Sequence, residues 1–307
     1  MFKISVVIST FNRAHLIAQA IESLLVQTFK DYEIIVIDDG STDATKGALT
    51  PYLDKIRYYY QPNQGISSAR NLGIQKSRGE IIAFTDDDVS LDPNWLKCIE
   101  QCFRDNHCDV VGGRVLPVYP SNTPLWIRNN PTKISGGVVI YDYGDKTVVF
   151  DPSHYRFIGA NVAFRRQVLN ECGGFREDLK YGSRIGMGED TEIIERLIKK
   201  NKILYYCGNA LVYHPVDLKR LTLRHAALWN TTLGRFAARQ EHENSHQHFI
   251  YWFGVPRYLW RGIVIDAFRL CICLFYYPSL YDSCRNFFRK AGMISEYRRM
   301  MRKGQVL

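Results

Sequence analysis

Short apolar, β-branched runs alternate with helical patterns through the first 88 residues, and no other feature narrows the fold as much. Residues 4–8 read Ile-Ser-Val-Val-Ile, the composition of a strand buried in a parallel sheet. Leu16, Ile17, Ala20, Ile21, Leu24 and Leu25 then recur at helical spacing. Residues 33–37 repeat the buried-strand composition and run into Asp38-Asp39-Gly40-Ser41-Thr42-Asp43, a turn rich in helix-capping residues. A helix is expected from there to about residue 54, a third strand over 56–60, a helix over 66–77 and a fourth strand over 80–85. Asp92-Pro93 reads as an N-cap followed by proline at the first helical position. Strands joined by helices at this spacing predict a mostly parallel sheet with right-handed crossovers. Ligands on such sheets bind outside the carboxyl ends of the strands. Ser9-Thr10-Phe11-Asn12, Asp38-Asp39 and Asp86-Asp87-Asp88 follow the first, second and fourth strands, so they are expected to share one crevice.

Beyond this region the pattern is looser. Residues 117–152 are rich in Pro, Gly and Asn and read as loops and short edge strands. A strand is expected over 158–164, an amphipathic helix over 189–200 with Ile193, Ile194, Leu197 and Ile198 on one face, and a helix over 218–240. The hydrophobic fraction of 46% in 307 residues is that of a packed globular chain. The eight cysteines show no Cys-x-x-Cys spacing and are expected as reduced thiols. Met1-Phe2-Lys3 leads straight into the first strand and does not read as a signal peptide.

Three acidic or basic groupings can carry chemistry. Adjacent carboxylates in Asp86-Asp87-Asp88 repel one another, each raising the proton affinity of its neighbours. A cation such as Mg²⁺ or Mn²⁺ would neutralise them and could bridge to substrate phosphates; the plain alternative is a solvated acidic loop. Asp39 could accept hydrogen bonds from a base or a ribose, or the turn could simply cap a helix; Arg70 could answer a diphosphate, or be a surface charge. Gly188-Glu189-Asp190 opens a helix after the glycine-rich run 182–188. Acids there suit the helix dipole, and one of them could equally serve as a general base.

Taken together these motifs form a recognisable order. Residues 4–13 (Ile-Ser-Val-Val-Ile-Ser-Thr-Phe-Asn-Arg), Val26-Gln27-Thr28, the turn 38–43, Asn63-Gln64-Gly65, Ala69-Arg70-Asn71-Leu72-Gly73 and the stretch 79–88 resemble the family 2 glycosyltransferases of the GT-A fold. The likeness resumes at 159–166, Gly173-Gly174-Phe175 and 188–192. It implies a GT-A-like, mostly parallel α/β sheet with helices on both faces; the residues after about 240 fall outside this pattern and are expected as a C-terminal helical extension. Residues 1–240 would form the catalytic domain, with a nucleotide-binding half to about 115 and an acceptor half after it, and 241–307 the extension. Ser9, Phe11 and Asn12 would line the nucleotide pocket, Asp39 would meet the base or ribose, and Arg70 the uracil or diphosphate. Asp86 and Asp88 would be the Asp-x-Asp pair, Asp86 nearer the ribose and Asp88 on Mg²⁺ or Mn²⁺; His214 stands where related enzymes carry a histidine near the metal, or is structural. Asp190 would be the base and Glu189 would help to place the acceptor. Ser9 replaces a common proline and Phe11 a common tyrosine. The Gln-x-x-Arg-Trp motif of processive synthases is absent, which argues for transfer of a single sugar; the family's usual donor is a uridine diphosphate sugar, and the acceptor is expected to be a glycan or lipid-linked hydroxyl. The runner-up is a sugar-phosphate nucleotidyltransferase, disfavoured because no N-terminal glycine-rich loop with a following basic residue is present. The other alternative, a silent nucleotide-sugar-binding protein, is disfavoured by the Glu189-Asp190 pair.

A net charge of +9 could suit nucleic acid, an anionic membrane or a phosphorylated ligand. Its placement narrows the choice, because Arg285, Arg289, Lys290, Arg298, Arg299, Arg302 and Lys303 crowd the tail with Glu296 as the lone acid. Residues 251–281 are aromatic and aliphatic, broken by Arg257, Arg261, Asp266 and Arg269; their longest uncharged run, 270–281, falls short of the roughly 20 residues a span needs. The expectation is a cytoplasmic protein held peripherally on the inner face of a membrane, with no nucleic acid partner. The alternative packs this segment on the catalytic domain.

Overall fold

The computed structural model describes residues 3–130, 137–179, 188–244, 249–273 and 276–304. Residues 182–187 of the glycine-rich run, and 274–275 within the uncharged run, lie outside the described residues. The chain divides into two compact units. The first comprises Met1–Val118, Ile140–Tyr181 and Glu189–Pro215, and the second Tyr119–Val139, Gly182–Gly188 and Val216–Leu307.

In chain order the elements are β1 (Ile4–Thr10), α1 (Ile17–Leu25), β2 (Tyr32–Asp38), α2 (Thr45–Leu49), β3 (Arg57–Tyr60), α3 (Ile66–Lys76), β4 (Ile81–Thr85), β5 (Ser90–Leu91), α4 (Trp95–Asn106) and β6 (Val110–Val118). The short α5 (Leu125–Arg128) belongs to the second unit. Then follow β7 (Thr147–Val149), β8 (Val162–Arg165), α6 (Arg166–Cys172), α7 (Glu189–Lys199) and β9 (Leu204–Pro215). The second unit continues with α8 (Leu223–Asn244), the β10 (Tyr251–Trp252) and β11 (Val255–Pro256) hairpin, α9 (Arg257–Ile272) and α10 (Tyr277–Arg302).

The first unit is one sheet in the order β3-β2-β1-β4-β8-β6-β9-β5, with β7 also on β9. The four strands expected from sequence pair in parallel. β8 then runs antiparallel to both β4 and β6, while β6 and β9 are parallel, so the sheet is parallel in one half and mixed in the other. Val7, Ile35, Ile37, Ile82 and Phe84 line one face and pack with Ile193 and Leu197 of α7. The alternate residues Val6, Ile8, Ile34, Val36, Ile81 and Ala83 are buried as well, so both faces are covered. Gly73 lets α3 press onto β1: a Cβ there would stand 2.3 Å from Val7 Cγ1. Register aligns the strand ends, with Thr10 beside Asp38 and Ile8 beside Thr85.

Several boundaries differ from the sequence pattern. α4 begins at Trp95 with Asn94 as N-cap, because β5 pairs with β9 and the Asp92 amide still donates to the Leu211 carbonyl. Pro51 ends α2 early, in a 3₁₀ turn. β8 starts at Val162, since Ile158 to Asn161 make a turn closed by the Asn161 amide on the Ile158 carbonyl.

In the second unit α8 and α10 approach closely. A Cβ on Gly234 would lie 1.9 Å from the Arg289 carbonyl oxygen, and one on Gly292 would lie 2.1 Å from that of Thr231. Ala238, Val255, Leu259, Ile294, Tyr297 and Met300 form one apolar cluster between these elements. Part of the basic tail is spent inside the unit. Fully buried Glu296 accepts from Arg239 at 3.1 Å and Arg299 at 2.6 Å, and Lys290 pairs with buried Asp266. No helix among the described residues is long and apolar enough to cross a membrane.

Candidate active site

The loop after β1 is tied to the loop after β2 by Asn12. Its backbone sits in the left-handed region (φ 55°), and its Oδ1 accepts from the amides of Thr42 (2.8 Å) and Asp43 (3.2 Å). Asp39 is likewise engaged. Buried at the end of β2, its Oδ1 accepts from Gln61 Nε2 (2.6 Å) and the Gln64 amide (2.9 Å), and its Oδ2 from the Gly65 amide (2.8 Å). These bonds shape the turn that starts α3. Ser9 ends the same edge with a buried hydroxyl that has no hydrogen-bond partner among the described residues, and Phe11 stands out beside it, 45% exposed.

α3 delivers Arg70 to the middle of the site. Its Nη1 donates to Glu189 Oε1 at 2.9 Å and its Nη2 lies 3.7 Å from Asp86 Oδ1. The buried guanidinium stands 5.3 Å from the centre of the Phe175 ring. Gly159 leaves it room, since a Cβ there would fall 1.9 Å from Nη2. Removal from water pushes the Glu189 carboxyl above its ordinary value, as does Asp190 beside it, while Arg70 opposes the shift.

Asp86, Asp88 and His214 each place one ligand atom within 4.8 Å of the others. His214 Nδ1 is 3.0 Å from the Pro215 carbonyl and its Nε2 3.7 Å from Asp88 Oδ1, so a neutral ring with its proton on Nδ1 would offer Nε2 as a donor atom. That Asp88 oxygen is buried without a hydrogen-bond partner among the described residues. An imidazole nitrogen and an unsatisfied carboxylate oxygen beside a second carboxylate make a donor set that fits a divalent cation. Removal from water raises the Asp86 pKa; Arg70 pulls it back and Asp88 pushes it further up. Asp87 faces away, 4.0 Å from Arg13, and burial pushes its carboxyl up to about 7.

Asp190 flanks this group from the start of α7. Its Oδ2 accepts from the Gly159 amide (3.2 Å) and its Oδ1 from the Thr191 amide (2.8 Å). Unlike Glu189 it is only partly buried and pairs with no cation among the described residues. The structure thus gathers Arg70, Asp86, Asp88, Glu189, Asp190 and His214, with Ser9 and Phe11 at the neighbouring strand end, while Asn12 and Asp39 hold loops. Sequence reasoning passed over Phe175 and Gly159 as parts of the site, although both stand in motifs that carry the family resemblance.

Residues 5–173, more than half of the chain, match the pattern of glycosyl transferase family 2. A Campylobacter jejuni GalNAc(5)-diNAcBac-PP-undecaprenol beta-1,3-glucosyltransferase is 38% identical over 117 residues, covering 36% of this chain and 38% of that protein. Five other glycosyltransferase relatives, from Nostoc and Rickettsia, are 42–48% identical over 88 to 114 residues, and the match spans only 15–35% of their length. Among solved structures, S. aureus TarS 1-349 in complex with UDP aligns with a TM-score of 0.57 at 19% identity, covering 99% of this chain and 92% of that one. The Pyrobaculum calidifontis mannosyltransferase PcManGT in complex with GDP-Man and Mn²⁺ aligns with a TM-score of 0.62 at 15% identity, covering 96% and 86%. Both likenesses are of fold, and the fold is that of GT-A glycosyltransferases. With its family pattern, its parallel half-sheet and its acids at the strand ends, the chain belongs to glycosyl transferase family 2.

Proposed function

We propose that the chain is an inverting, metal-dependent glycosyltransferase that moves one sugar from a nucleotide-diphosphate sugar, with uridine as the nucleoside, to a hydroxyl of a glycan or lipid-linked acceptor. The observation that carries this reading is the gathering of Asp86, Asp88 and His214 around an unsatisfied buried carboxylate oxygen, with Arg70 and Asp190 beside them. A donor complex of one fold relative with GDP-Man and Mn²⁺, and the lipid-linked substrate named for the Campylobacter relative, support it. An acceptor of that kind would place the enzyme peripherally on the cytoplasmic face of a membrane.

Asp190 takes the proton from the acceptor hydroxyl, whose oxygen attacks the anomeric carbon as the bond to the diphosphate breaks. Attack opposite the leaving group inverts that carbon. Asp190 suits this role because each of its oxygens keeps lone pairs beyond the backbone amides it accepts from. Arg70 meets the departing diphosphate with a fixed positive charge, and Glu189 orients its guanidinium. Asp86, Asp88 and His214 would hold Mg²⁺ or Mn²⁺, which when bound supplies further positive charge beside the diphosphate. Phe11, exposed at the end of β1, offers an apolar face on which a base can stack.

A thermal-shift screen of nucleotide sugars with Mn²⁺, followed by hydrolysis assays on those that stabilise, tests the reading. A uridine diphosphate sugar is expected to stabilise and to be hydrolysed. Stabilisation by a nucleoside triphosphate, with pyrophosphate released on adding a sugar phosphate, would instead support a nucleotidyltransferase.

A further inference from the structure

We propose that the outer face of α9, with the tip of the β10–β11 hairpin, is a docking surface for an anionic phospholipid bilayer. α9 is apolar on two sides. Leu259 and the helix's lone acid, Asp266, are buried, and Trp260 and Ile263 pack against the inner cluster. On the other side Val264 and Ile265 stand three and four residues after Arg261, Phe268 four and three after them, and Ile272 four further on, a single helical stripe. Val264 and Phe268 are each 67% exposed and Ile272 62%. An apolar stripe this exposed on a helix is ordinarily covered by a partner.

The hairpin extends the stripe. Its two turn residues, Phe253 (φ 51°) and Gly254 (φ 72°), both have left-handed backbone. Asn or Gly fills such a turn without strain, whereas a bulky aromatic there is a conformational outlier. Phe253 nevertheless occupies it, 83% exposed, with Ile250 and Trp252 also open to solvent. The Arg257 guanidinium lies 4.6 Å over the Trp252 ring, which joins hairpin and helix.

Charge identifies the occupant. Arg257, Arg261 and Arg269 are exposed along α9, whose one carboxylate is turned inward to Lys290. Aromatic and aliphatic side chains rimmed by arginines fit the boundary between acyl chains and anionic headgroups. A second copy of this helix would bring the arginines no acid. That docking would carry the enzyme to a lipid-linked acceptor rests on the transferase reading; the surface itself does not.

Sedimentation of the full chain with phosphatidylglycerol and with phosphatidylcholine vesicles tests this. The protein is expected to pellet with the first and not the second, and to be released by salt. Replacing Arg257 and Arg261 by alanine should weaken binding about 25-fold, at about fivefold per charge. Phe253→Glu with Phe268→Glu should abolish it, while Leu228→Glu, at an exposed position on α8, should bind as the parent does. Circular dichroism melts on each variant separate lost docking from lost folding. Failure of the parent to bind phosphatidylglycerol at low salt, or unchanged binding by the folded outer-face variants, overturns the proposal. So does a Phe268→Glu change that turns a dimer into a monomer while vesicles are ignored, which would make the occupant a second copy. Nucleotide-sugar hydrolysis on the same samples reports separately on the transferase reading: vesicle binding without hydrolysis would leave the docking surface standing.

Discussion

Glu189 and Asp190 are sequence neighbours with unlike surroundings. The buried Glu189 carboxylate is pinned to Arg70, so a proton could reach it only at the expense of that pair. Asp190 is held by two backbone amides and is partly open. Asp190→Asn should therefore lower turnover on the order of 10²-fold or more, with donor affinity retained. Calorimetric titration beside steady-state rates checks the split; lost donor affinity at unchanged turnover would reject the base. Asp88→Ala removes the carboxylate whose oxygen lacks a partner. Its donor binding should no longer respond to Mn²⁺, and thermal shift with and without a chelator reads this directly. A chelator-sensitive shift surviving in that variant would move the cation elsewhere.

At the scale of elements, the parallel half-sheet is locked at the end remote from the site. Buried Glu33 on β2 accepts from Ser5 of β1 (2.6 Å), Arg57 of β3 (2.6 Å) and the Arg78 amide (2.7 Å). Burial pushes its pKa up, but these bonds outweigh burial, and the net shift is downward from 4.5. A carboxyl with a depressed folded pKa binds fewer protons folded than unfolded. Its stabilisation is thus complete above about 4.5 and is lost as pH falls through the lower folded value. Glu33→Gln should lower stability at neutral pH and flatten the acid limb of the curve. Urea unfolding at several pH values measures both, and parallel curves for the two proteins would remove Glu33 from the acid response. At the opposite end of the strands, Asp39 carries the same kind of load, fastening the turn into α3 from which Arg70 projects.

For the whole molecule, the two units rest on different physics. The first depends on a sheet covered on both faces, the second on helices packed backbone to backbone at Gly234 and Gly292. Gly292→Ala would put a methyl group 2.1 Å from the Thr231 carbonyl oxygen, which rigid backbone cannot yield without moving α10 from α8. A loss of about 1–3 kcal/mol is expected, the range for overpacking, and denaturant unfolding measures it. An unaltered midpoint would mean that the two helices are not so close. The same packing accounts for the tail. Arg299 and Lys290 meet buried acids inside this unit, while Arg298, Arg302 and Lys303 of the tail stay exposed, as do Arg257, Arg261 and Arg269 of α9.

The parallel strands, the helix of α7 and the acidic strand ends were legible from residues alone. Buried β-branched runs, a 3.6-residue period and clustered carboxylates are local properties of the chain, and the ordered motifs marked the family. Convergence of the strand ends followed from the rule that parallel strands present their carboxyl ends on one side. What those residues do to one another was decided elsewhere. Arg70 and Glu189 are 119 residues apart, and only the folded sheet brings them to 2.9 Å. The Asp88 carboxylate meets His214 because β9 returns beside β5 and β6. That Asn12 and Asp39 accept backbone amides of neighbouring loops was likewise not legible in the sequence, where they read only as ligand-binding residues. Periodicity says which side of α9 can be apolar, but both sides of that helix are. Which one is covered depended on how α10 folded back on it, bringing Ile294, Tyr297 and Met300 against Leu259, a tertiary contact that no local pattern encodes.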